Sequence, residues 1–115
     1  MRRALVMIAA LIAFPGHAMP SYWTGKDLLE WCEAFGERTP GKFYDAGQCR
    51  GYVSGVAEII VEKKTEAYFT TDEAGPKVNQ LVDIVRAYLR DHPEKRNLSA
   101  DTLVIAALKE KFPCN

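Results

Sequence analysis

The chain has 115 residues, with 15 basic and 15 acidic side chains, a formal net charge of zero and 48% hydrophobic residues. That is enough for one small domain with a modest core. A nucleic-acid binder needs a basic surplus on one face, and this balance gives none; no repeat, low-complexity segment or linker divides the chain.

The first element is "MRRALVMIAALIAFPGHAMP". Arg2 and Arg3 form a basic start, Ala4 to Phe14 form an apolar run, and Pro15 and Gly16 break it. Gly16 and Ala18 supply the small residues that flank a cleavage site after Ala18. The run is well short of the roughly 20 residues that span a bilayer as a helix. Residues 1–18 are therefore expected to be a cleaved secretory signal peptide, and residues 19–115 a helical domain; the alternative is an uncleaved N-terminal anchor. Met19 would follow the cut, where a lipoprotein needs cysteine, so the expected product is soluble and exported, without a membrane attachment. Loss of residues 1–18 leaves 97 residues, with 13 basic against 15 acidic side chains.

Four main helices are predicted, in a compact antiparallel bundle-like all-α domain. The first follows "WTGKDLLEWCEAFGE", where Thr24 and Asp27 have the spacing of a capping box. Leu28, Cys32 and Phe35 share one face, Trp31 borders it, and Gly36 ends the helix. Pro40-Gly41 centres a turn. The second helix is placed at about Ala46 to Lys64, with Asp45 as its N-cap. Cys49, Val53, Val56 and Ile60 form its apolar stripe, widened by Tyr52 and Ile59.

Gly51 and Gly55 fall roughly opposite that stripe, and each costs about 1 kcal/mol against Ala inside a helix. The favoured expectation is close approach by another helix of the same fold. The alternative is a contact seam for a second molecule. Glu58, Glu62 and Glu66 follow a four-residue ladder beside Lys63 and Lys64, which reads as a solvated face able to meet a basic cleft.

"TEAYFTTDEAG" has no period and reads as a loop anchored by Tyr68 and Phe69. Pro76 suits the first turn of the third helix, where Val78, Leu81, Val82, Val85, Tyr88 and Leu89 repeat at three and four. The stretch "RDHPEKRN" ends it. In the fourth helix Ser99 is the expected cap and Leu98 a staple to Leu103. Leu103, Val104, Ala107 and Leu108 face inward, and Ile105 points outward between Asp101 and Lys109.

Three cysteines allow one disulfide and one spare thiol. In a helical hairpin the end of the first helix meets the start of the second, so Cys32–Cys49 is the easiest bond. It closes a loop worth roughly 3 kcal/mol by the chain-entropy estimate. The pairings Cys32–Cys114 and Cys49–Cys114 remain open on sequence alone. Cys114 is then the expected free thiol.

Catalytic chemistry is hard to assemble from these residues. His17 lies in the signal segment, and His92 sits in a turn before proline. His92 and Cys114 stand near opposite ends of the fourth helix, roughly 20 Å apart at 1.5 Å per residue, too far for a nucleophile and its base. The expected role of the His92 ring is a local hydrogen bond to backbone or a carboxylate. Zinc needs clustered Cys or His ligands, and these are scattered. No catalytic residue, metal site or cofactor is expected.

The chain resembles the type VI secretion amidase immunity family, small periplasmic helical proteins. The resemblance begins with Cys32 and continues through Cys49, Gly51, Tyr52, Val53 and Gly55. It then takes in Gln80, Leu81, Val82, Tyr88, Leu89, His92, Pro93, Glu94 and Arg96. It closes with Ala100, Leu103, Val104, Ala107, Leu108, Phe112, Pro113 and Cys114. The chain departs from the family pattern after Phe69: Thr70 stands where the family often has a further cysteine. Cys114 is accordingly expected to be the leftover half of a second disulfide, buried and inert; the alternative is a covalent dimer through Cys114.

The resemblance implies a non-enzymatic periplasmic protein that binds and occludes a peptidoglycan amidase effector. It also implies a homodimer, with Gly51, Gly55 and Ile105 as candidate seam residues. The candidate partner-binding residues are Tyr68, Phe69, Asp72 and Glu73, because exposed aromatics and charges make good interface anchors. The competing expectation is that Tyr68 and Phe69 cap the core. A functional alternative is a general periplasmic stress protein or chaperone, since fifteen carboxylates give acid some leverage on stability.

Overall fold

The computed structural model describes residues 21–114. The expected signal peptide, residues 1–18, lies outside them. The described residues form an all-α domain of four helices: α1 (Gly25–Glu33), α2 (Phe43–Lys63), α3 (Val78–Asp91) and α4 (Ala100–Lys111). Single 3-10 turns at Pro40–Lys42 and Pro93–Lys95 precede α2 and α4. Each helix packs against the other three. None of these helices is long and apolar enough to cross a membrane.

The capping box of α1 is present. The Asp27 N–H donates to Thr24 Oγ1 at 3.4 Å, and the Thr24 N–H donates to Asp27 Oδ2 at 3.0 Å. Two further orphan donors of this helix are satisfied across the fold. The Gly25 N–H donates to the Leu98 carbonyl and the Lys26 N–H to that of Arg96, both at 2.9 Å. This close approach requires a glycine: a Cβ on Gly25 would lie 2.3 Å from Leu103 Cδ1 and 3.1 Å from the Arg96 Cα. At the other end α1 stops at Glu33, before Gly36, whose φ of 92° turns the chain. Arg86 Nη1 donates to the carbonyls of Cys32 and Phe35, both at 3.2 Å, and so covers that end from α3.

Helix α2 starts at Phe43, earlier than the expected Ala46, because the turn at Pro40–Lys42 feeds directly into it. Asp45 is therefore inside the first turn and is not the N-cap. Its charge still suits the positive end of the helix dipole. Cys49, Val53, Ala57 and Ile60 are buried, Val56 is half-buried, and Ile59 is exposed, where it had been expected to widen the stripe. Helix α3 starts at Val78, so Pro76 lies before the helix, and the Lys77 N–H donates to Gln80 Oε1 at 2.7 Å. Ser99 holds the N-cap place of α4, but its hydroxyl pairs with Thr102 Oγ1 at 2.6 Å and bonds no helix N–H.

The core joins Leu28 and Cys32 of α1, Cys49 and Val53 of α2, Val82, Val85 and Leu89 of α3, and Leu103, Val104 and Leu108 of α4. Cys32 and Cys49 form the disulfide, with Cα atoms 4.9 Å apart and a sequence separation of 17.

Candidate functional site

The segment after α2 alternates its side chains as extended backbone does. Ala67 and Phe69 are buried, while Tyr68 is 50% exposed. The chain is held there by its own C-terminal end: Ala67 bridges Pro113, and the Tyr68 N–H donates to the Phe112 carbonyl at 3.0 Å. The Phe69 and Phe112 rings lie 5.1 Å apart. Phe69 is thus a core residue and is unavailable as a partner contact, because its ring is already spent on Phe112. Tyr68 stays available, with Lys64 Nζ 6.0 Å from its ring centroid. Cys114 lies beside them, its thiol 3.6 Å from the Lys64 carbonyl. It is free and exposed, which corrects the expectation of a buried thiol.

The rest of the loop is a tight turn. The Ala74 N–H donates to Asp72 Oδ1 at 3.0 Å, and the Gly75 N–H donates to the Asp72 carbonyl at 3.1 Å. The Thr70 hydroxyl and these donors hold the Asp72 carboxyl below its ordinary value. Lys77 Nζ donates to the Glu73 carbonyl at 3.2 Å. Gly75 has to be glycine: a Cβ would fall 1.6 Å from the Thr70 carbonyl oxygen. Asp72 therefore shapes the loop, whereas the Glu73 carboxylate bonds no described residue and faces solvent. Tyr68, Asp72 and Glu73 share this one loop.

Helix α2 presents the second part of the surface. Among the described residues, and apart from the helix's own neighbouring backbone, no atom lies within 4 Å of a Cβ built on Gly51 or Gly55. This overturns the expectation that another helix of the same fold approaches them. Gly47 is equally open and continues the row at four-residue spacing. Exposed apolar side chains stand at both ends of the row: Phe43 (61%) and Tyr44 (73%) at one, and Ile59 (55%) at the other. A helix starting at Ala46 leaves Phe43 and Tyr44 in a turn, so the sequence does not place this aromatic pair on the face of α2. Ile105, expected to be exposed, is half-buried and packs against the core. A cleft of about 160 Å³ lies between α2, the loop and α3, lined among others by Ser54, Glu58, Phe69, Thr71 and Pro76.

The single described histidine is committed locally. His92 Nδ1 lies 3.2 Å from Glu94 Oε1, and its ring sits 4.2 Å from that of Tyr88. His92 opens onto a groove between α3 and α4, whereas Cys114 opens onto a separate cleft with Lys64 and Tyr68. The imidazole and the thiol do not meet.

The family model of Rap1a immunity proteins matches residues 24–114. The chain belongs to this family. The match spans all four helices, the loop between α2 and α3, and Cys114. The Rap1a immunity proteins are a type VI secretion immunity family, and immunity implies a cognate effector as partner. No curated protein sequence matches the chain.

Proposed function

We propose that this Rap1a protein is exported to the periplasm and there binds and occludes a peptidoglycan amidase effector of a type VI secretion system. The family match over residues 24–114 carries the reading. Residues 1–18 act as the cleaved signal and residues 19–115 as the binding domain. The mechanism is occlusion without chemistry. A loop tied down at Ala67, Asp72 and Gly75 enters the active-site groove and presents Tyr68 and Glu73. Such a preformed loop loses little conformational entropy on binding. The open face of α2 with Gly51 and Gly55 serves a homodimer, and Ile105 contributes from the edge of the core.

The test is direct. Residues 19–115 serve as bait in lysate of the producing organism, with mass spectrometry of what is retained, followed by inhibition of the recovered enzyme on purified peptidoglycan. One stoichiometric amidase, inhibited on addition of the protein, is the expected result. Suppression of aggregation of many unrelated clients at low pH, with no single tight partner, would replace this reading with the chaperone one. Light scattering at micromolar concentration is expected to give a dimer, and a monomer would remove the α2 seam.

A further inference from the structure

We draw no further inference here: the strongest candidate, the exposed face of α2 on which Phe43, Gly47, Gly51, Gly55 and Ile59 stand four residues apart, belongs to the surface already proposed for a homodimer, and nothing in the structure shows what else would cover it.

Discussion

Arg86 and Arg90 both project from α3 to the C-terminal end of α1, and their contributions should rank against appearance. Arg90 makes the more conspicuous contact, a two-pronged ion pair in which Nε and Nη2 donate to the two carboxylate oxygens of Glu33. Its side chain is 54% exposed, however, and that of Glu33 is 41% exposed. Exposed pairs contribute about 0–1 kcal/mol, because solvent and salt screen them and two long side chains lose rotamer freedom. Arg86 has only a 2.6 Å pair with Asp83 one turn away, but its side chain is 21% exposed and Nη1 donates to two backbone carbonyls. One of those belongs to Cys32, which is fully buried. Hydrogen bonds from a charged donor contribute about 1.5–3 kcal/mol; without Arg86 the Cys32 carbonyl keeps the Phe35 N–H, but the Phe35 carbonyl loses its one donor among the described residues.

Arg86→Ala is therefore expected to cost about 2–3 kcal/mol and Arg90→Ala at most about 1 kcal/mol. For a domain of this size about 1 kcal/mol shifts the melting temperature by about 4–8 °C. Circular dichroism melts should place the Arg86 variant roughly 8–24 °C below the parent and the Arg90 variant much closer to it. Repeating the melts at about 1 M salt, where the Debye length is about 3 Å, should erase the Arg90 effect and leave that of Arg86. An Arg90→Ala variant as destabilised as Arg86→Ala, at either salt concentration, would refute the reasoning.

The loop permits a separation of roles. Glu73→Ala should weaken inhibition of the effector at least about tenfold with no change in melting temperature; Asp72→Ala should weaken it too, but with loss of amide protection at Ala74 and Gly75, so unchanged affinity in both would remove the loop from the interface. Gly75→Ala should force the turn apart at a cost of about 1–3 kcal/mol, read as a lower melting temperature, and a variant that melts with the parent would show that the turn relaxes freely. Replacing Cys32 and Cys49 together by alanine should cost roughly 3 kcal/mol in urea unfolding, and a loss under about 1 kcal/mol would mean that helix packing alone fixes the hairpin. Arg90 lowers the pKa of Glu33, the Thr70 hydroxyl that of Asp72, and the Glu94 backbone N–H that of Glu94. Carboxyls lowered in the folded state stabilise it above their unfolded pKa and lose that contribution as pH falls, so the melting temperature should drop between about pH 5 and pH 3; a flat profile there would contradict it.

What was legible in the sequence is what local chemistry decides. Thr24 and Asp27 announce the start of α1 because a capping box needs only four residues. The stripe in α3 is readable because Leu81, Val82, Val85 and Leu89 all turn inward. Cys32 and Cys49 are readable because a hairpin brings two helix ends together whatever the rest of the chain does. The misplaced starts of α2 and α3 are also local, but there a proline-led turn runs on into one helix and an unremarkable Lys77 caps the other. The contacts of Gly25 could not be read at all. They depend on the Arg96 and Leu98 carbonyls, more than seventy residues away, and no period or cap encodes such a meeting.

The site follows a different logic. Alternation in the loop decides between Tyr68 and Phe69, but the phase of that alternation is set by the bridge from Ala67 to Pro113, a contact between distant segments. Of two adjacent aromatics, sequence can say that one turns inward and not which. Gly51 and Gly55 pose the same difficulty on a helix. Three open glycines, Gly47 included, cost α2 about 3 kcal/mol against alanine, and a buried close approach would have offset it. No other part of the described fold reaches any of the three, so no contact within it offsets that cost. Phe43, Tyr44 and Ile59 stand exposed at the ends of the same row, where their burial would add a favourable term. Both observations call for a surface from outside this fold, and the two terms have the same sign: covering the face recovers apolar area and uses the flatness that the glycines provide. That is why the face of α2, whose glycines suggest an internal packing detail in the sequence, is the face proposed to meet a second copy of the chain.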